Sequence, residues 1–114
     1  MKRIFPLWIV PYRVDKMYDW VSAEHQTRMN RQMPDGLMID CAVYGKPNSE
    51  DSVDYSDLLE KKTFALDGLK TLISKNHYTP DEFWQTYNRE NYAAAKKRMD
   101  PNGLFPGVYE KFHR

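Results

Sequence analysis

Apolar and polar positions alternate most cleanly over residues 36–45. Leu37, Ile39, Cys41 and Val43 fall on one face, and Met38, Asp40, Ala42 and Tyr44 on the other, the period of two that marks a strand. The first face is wholly apolar and is expected to be core. The second mixes a carboxylate with a phenol and is expected to meet solvent, a ligand or another domain. Residues 4–12 alternate in the same way, with Phe5, Leu7 and Ile9 opposed to Trp8, Val10 and Tyr12. Pro6 and Pro11 lack a donor N–H, which confines that strand to an edge or puts them at strand ends. Residues 13–32 are polar and Met-rich with weak periodicity through Met17, Trp20, Val21 and Met29, and predict an irregular or partly helical excursion. Met33-Pro34-Asp35-Gly36 is a turn, because proline presets its first central residue and Asp and Gly accept the conformations that follow.

In the second half the period lengthens. Tyr55, Leu58, Leu59, Ala65 and Leu66 make one helical apolar stripe, with Gly68 placed to end it in a left-handed conformation. Residues 69–74 predict a short third strand. Thr79-Pro80-Asp81-Glu82 is a helix start in which Thr79 caps, proline occupies the first turn and Glu82 closes a capping box; Phe83, Trp84 and Tyr87 supply the buried face. A break at Arg89-Glu90 separates this helix from a second over residues 91–99, which Asp100-Pro101-Asn102-Gly103 stops, and residues 104–112 close the chain. The expected fold is α+β in the order β-β-α-β-α-α, a small antiparallel sheet with helices packed on one face, and the 114 residues form a single domain.

Composition removes several function classes. The 17 basic and 16 acidic side chains nearly cancel, so no bulk field recruits nucleic acid or an anionic membrane. Cys41 is the only cysteine, which excludes an internal disulfide and a cysteine-rich zinc site, and a reducing, cytoplasmic setting is the expectation. The apolar run over residues 4–11 carries prolines and is far short of the roughly 20 residues that span a bilayer. The chain has no Gly-rich phosphate loop, no pair of histidines at metal-ligand spacing and no nucleophile elbow. Cys41 is expected to be a small core residue, and His25 and His113 to be exposed. Lys96-Lys97-Arg98 reads as a solvated helix face, and Ala93-Ala94-Ala95 suggests close helix packing against another domain.

Four segments follow one another in a fixed order: Pro6-Leu7-Trp8-Ile9-Val10-Pro11; Ile39-Asp40-Cys41-Ala42-Val43-Tyr44-Gly45-Lys46-Pro47; Glu82-Phe83-Trp84-Gln85-Thr86-Tyr87; and the run from Asp100-Pro101-Asn102-Gly103-Leu104-Phe105 to Lys111. Together they resemble the C-terminal end of the delta-24 sterol reductase group of FAD-linked oxidoreductases, within the vanillyl-alcohol-oxidase-like superfamily. The resemblance covers nearly the whole chain apart from residues 13–32, which look like an insertion. It implies the second half of a cap (substrate) domain, without the domain that holds most of FAD, and hence an FAD-binding domain or subunit as partner. It implies hydride transfer on a lipid or sterol-like substrate with NAD(P)H as a potential electron donor, and a chain that is not catalytic alone. Self-association of the isolated chain is expected, and a partner could bring it to a membrane surface.

On that resemblance Trp8, Asp40 and Tyr44 are substrate-facing candidates. Lys75, Asn76, His77 and Tyr78 occupy the connection expected to approach the flavin, where a positive group stabilises charge on the reduced ring; Lys75 is first and His77 second. No catalytic residue and no metal ligand is assigned. Two other classes of function stay open: a non-catalytic binding or regulatory module that kept the cap fold and lost the flavin-binding half, and a dimeric small-ligand module with no link to flavin.

Overall fold

The strands form where the alternation places them. In the computed structural model, which describes residues 6–16, 19–33, 35–45, 52–73 and 75–113, β1 (Leu7–Arg13) and β2 (Leu37–Val43) pair antiparallel, with Leu7 opposite Val43 and Arg13 opposite Leu37. The turn between them ends as expected: Gly36 takes φ +66° and donates its N–H to the Met33 carbonyl at 2.9 Å. Any larger residue there would be strained by that φ and would drive its Cβ to 2.7 Å from the Val14 carbonyl oxygen. Phe5, Met17, Pro34, the residues 46–49 and Ser74 lie outside the described residues.

Among the described residues five helices complete the fold: α1 (Ala23–Gln32), α2 (Tyr55–Ala65), α3 (Pro80–Thr86), α4 (Arg89–Met99) and α5 (Val108–Phe112). The architecture is α+β, in the order β-α-β-α-α-α-α. The polar excursion after β1 thus contains a full helix, capped by Ser22, whose side chain accepts from the His25 N–H. Thr79 caps α3 with the complete reciprocal box predicted for it. The break before α4 falls two residues earlier than expected. Tyr87 ends α3, and Asn88 accepts from the Asn91 N–H to begin α4 at Arg89.

The main buried cluster is aromatic and gathers around α3. Phe83 is fully buried, with its ring centroid 4.6 Å from Tyr87, 4.8 Å from Trp84 and 5.3 Å from Tyr109. Tyr78 joins them, and Phe64, Leu72 and Val108 pack at the margin. Such tilted and edge-on ring pairs add to the stabilisation that burial alone gives. The segment before α1 is tied on by backbone bonds, Ser22 N–H to Thr86 and Asn88 N–H to Trp20, so α1 lies beside α3.

Several expectations are corrected. Residues 69–73 form no strand; the stretch is irregular and turns at Leu72-Ile73, so among the described residues the sheet has two strands. Among the described residues no helical layer covers it. Leu7, Ile9, Leu37, Ile39 and Val43, on the face expected to be core, are 47–60% exposed, and Cys41 beside them is exposed too. Nor is the leucine stripe of α2 buried: Leu58, Leu59 and Leu66 face solvent, and the buried residue of that helix is Glu60. His25 is completely enclosed rather than exposed. The left-handed residue after α2 is Asp67, at φ +52°, and not Gly68. Gly68 instead sits close against α2: a Cβ there would stand 3.0 Å from the Thr63 methyl and 3.2 Å from its carbonyl oxygen, tighter than ordinary contact.

The result is an open molecule. Its accessible surface is 8978 Å², against about 6,600 Å² for a compact monomer of this mass. Its radius of gyration is 16.2 Å, where about 13 Å is usual.

Candidate functional site

Register brings Trp8, Asp40 and Tyr44 onto one face of the ribbon. Trp8 is opposite Ala42 and Asp40 opposite Val10, while the Tyr44 N–H donates to the Pro6 carbonyl at 3.1 Å. Trp8 is therefore a diagonal neighbour of both Asp40 and Tyr44, within reach of a large side chain. All three are exposed. They form an aromatic and acidic strip open to whatever lies against it.

The connection over residues 75–78 is held from two sides. The Asn76 N–H donates to the Phe112 carbonyl at 2.7 Å, and its own carbonyl accepts from His113 Nδ1 at 3.0 Å. Tyr109 donates its hydroxyl to the Tyr78 carbonyl at 3.0 Å. On the other side the His77 N–H donates to Glu60 Oε1 at 2.8 Å. The Lys70 ammonium donates to Glu60 Oε2 and to the Lys75 carbonyl. Side chains alternate accordingly. Asn76 and Tyr78 turn inward and are buried, Lys75 is exposed, and His77 is partly covered.

Three polar atoms along this stretch are enclosed without a hydrogen-bond partner: Asn76 Nδ2, His77 Nε2 and Tyr78 Oη. His77 Nε2 faces Asp54 Oδ2 at 4.0 Å, beyond hydrogen-bond range. Burial pushes the Tyr78 phenol well above its ordinary pKa, with Glu60 adding to the rise, so it stays protonated. Unpaired buried donors in consecutive residues are uncommon and call for an explanation.

The residues that organise this region most were not foreseen. Glu60 is buried to 3% and joins Lys70 to the 75–78 connection. At the far end of α2, Arg28 reaches both Asp67 and His25. Glu60 carries no motif in the sequence; a carboxylate between Leu59 and two lysines reads as solvated. Among the described residues no cluster of His, Cys, Asp or Glu could hold a metal ion, and no helix is long and apolar enough to cross a membrane.

The chain is distantly similar to curated sterol reductases. It is 23% identical over 110 residues to the Delta(24)-sterol reductase of Rattus norvegicus, and equally so to those of Mus musculus and Homo sapiens. Each alignment covers 95% of this chain and 20% of the relative, so the chain spans about a fifth of the length of the curated relatives it matches. No family model and no solved structure matches it.

Proposed function

We propose that this chain is the C-terminal portion of a FAD-dependent oxidoreductase, held as a fragment or a separate subunit. The observation that carries the reading is the unfinished architecture, an exposed ribbon and a surface far above that of a compact monomer. Alignment to only a fifth of the sterol reductases supports it. In this reading a partner domain holds the pyrophosphate and adenine of FAD, for which this chain has no Gly-rich loop. The chain closes one side of the flavin and substrate space.

Of the four flavin-facing candidates, Lys75, the exposed one, fits direct contact with the ring edge, and His77, partly covered with its Nε2 enclosed, comes second. Asn76 and Tyr78 fit a supporting place, with donors in reserve behind them. The chemistry supplied by FAD when bound is hydride transfer at a carbon of the substrate. Lys75 would place positive charge where the reduced ring gains negative charge, and Trp8 and Tyr44 would give a lipid or sterol-like substrate an apolar wall. NAD(P)H is the electron donor the reading favours.

Co-expression with a companion polypeptide encoding the FAD-binding half tests the proposal. The isolated chain should purify colourless, and the complex should show the flavin absorbance bands. In that complex Lys75→Met should lower the flavin reduction potential, while Lys97→Met, on the exposed face of α4, should not. A colourless complex would favour the non-catalytic module, and a yellow isolated chain would overturn the split site.

A further inference from the structure

The apolar face of the ribbon takes no part in the flavin reading, which uses the opposite face. Leu7, Ile9, Leu37, Ile39 and Val43 lie on it around Cys41, paired across the two strands. Among the described residues its one charge is Arg13, at the end of β1. We propose that this face is an isologous interface, two copies of the chain packing their ribbons face to face.

Area supports a second copy as the occupant. The exposed residues of the face offer at most on the order of 600 Å² per copy, so two fully covered copies bury up to about 1,200 Å², the threshold of a stable interface. Charge supports it as well. Arg13 sits at the end of the face, where it stays hydrated at the rim, and Asp40 points to the other side, so a self-pair buries no like charges. A contiguous apolar patch of this size lies at the upper end of what monomers expose, where patches are often functional.

Face packing is favoured over edge pairing by the hydrogen-bond pattern. The Tyr44–Pro6 and Val14–Gly36 bonds fix which residues exchange bonds within the ribbon, and Pro11 falls among those whose N–H positions point outward. Its missing donor interrupts the outer edge of β1. Pairing through the edge of β2 would leave the apolar face as bare as before. Stacking the faces buries it and leaves Trp8, Asp40 and Tyr44 clear.

The experiment uses the full 114-residue chain and needs no flavin partner. Sedimentation equilibrium should give a dimer, and Ile39→Lys should give a monomer with unchanged helical circular dichroism. No ribbon residue belongs to the aromatic core, so the substitution leaves that core intact. Tyr12→Lys, on the opposite face, should still dimerise. Cys41 lies within the proposed contact, so its maleimide labelling should slow about tenfold as concentration drives association; in Ile39→Lys it should be fast throughout. A monomer at all concentrations, a dimer that survives Ile39→Lys, or labelling indifferent to concentration would each overturn the interface. The flavin reading is judged separately, by cofactor retention.

Discussion

Arg28 donates from Nε to the Asp67 carboxylate at 2.8 Å, and Asp67 holds a left-handed backbone at φ +52°. The two facts belong together. Asp67 follows the C-cap of α2, where its N–H donates to the Phe64 carbonyl and the Gly68 N–H donates to Thr63, the double bond pattern that usually ends on glycine. A non-glycine residue here carries strain, offset by Arg28 and by a 3.0 Å bond from Gln32. Asp67→Ala keeps the strain and loses both partners, and should cost about 1–2 kcal/mol. Asp67→Gly loses the same partners without the strain and should cost less. Denaturant midpoints order the two.

His25 extends that junction and makes it sensitive to acid. Its Nδ1 lies 3.1 Å from Arg28 Nη2. An arginine nitrogen only donates, so Nδ1 accepts and the proton sits on Nε2, which donates to the Gly68 carbonyl at 3.1 Å. Desolvation by burial holds the His25 pKa below its ordinary 6.5; the Gly68 bond opposes this and the charge of Arg28 reinforces it. The folded state therefore favours the neutral ring. Its contribution to stability is complete above about pH 6.5 and is lost as pH falls through the lowered folded value. Unfolding free energy measured between pH 7 and 5 should decline in the parent. In His25→Gln, which starts less stable, that decline should largely disappear.

The sequence was most legible where a single segment carries its own cause. Thr79 and Glu82 satisfy each other across one turn, so the start of α3 can be read from four residues. Gly36 and Gly103 likewise announce their turns, and both take positive φ. Alternation located both strands but could not say whether anything covers them, because burial depends on residues far away or outside the chain. That is why the apolar face of β2 was expected to be core and is open. The same limit hid Glu60, whose partners Lys70 and His77 lie 10 and 17 residues on, and enclosed His25, 43 residues from Gly68. The candidates Trp8, Asp40 and Tyr44 share a face because period two is local. Lys75 to Tyr78 divide into outward and buried pairs through contacts with α2 and α5 that no local pattern foretells.

Thr79→Ala should destabilise the domain by about 1 kcal/mol, the usual loss for an N-cap side chain. The Thr79 hydroxyl accepts from the Glu82 N–H at 3.3 Å, and the Thr79 N–H donates to Glu82 Oε2 at 2.8 Å. Glu82→Ala should cost a comparable or smaller amount, and the double substitution less than the sum, because the two halves of the box share one geometry. Additive losses in urea titrations would mean the two residues cap independently.

The largest single loss should come from Glu60. Its side chain is 2% exposed and that of Lys70 12%, so their ion pair is shielded from water and salt. Glu60→Ala strands the Lys70 ammonium and removes the acceptor of the His77 N–H, and breaking such a pair from one side costs about 3–5 kcal/mol. Glu60→Gln retains an acceptor for His77 and loses only the charge, so it should cost less, about 1–3 kcal/mol. Replacing both partners, Glu60→Met with Lys70→Met, removes the two charges together and fills their space with apolar atoms. Buried pairs often tolerate that exchange, so the double variant should be more stable than Glu60→Ala alone. Recovery should still be incomplete, because the His77 N–H remains without its acceptor. Equilibrium unfolding of the parent and the three variants decides the matter: if Glu60→Ala is no weaker than Glu60→Gln, the carboxylate does not hold the 75–78 connection.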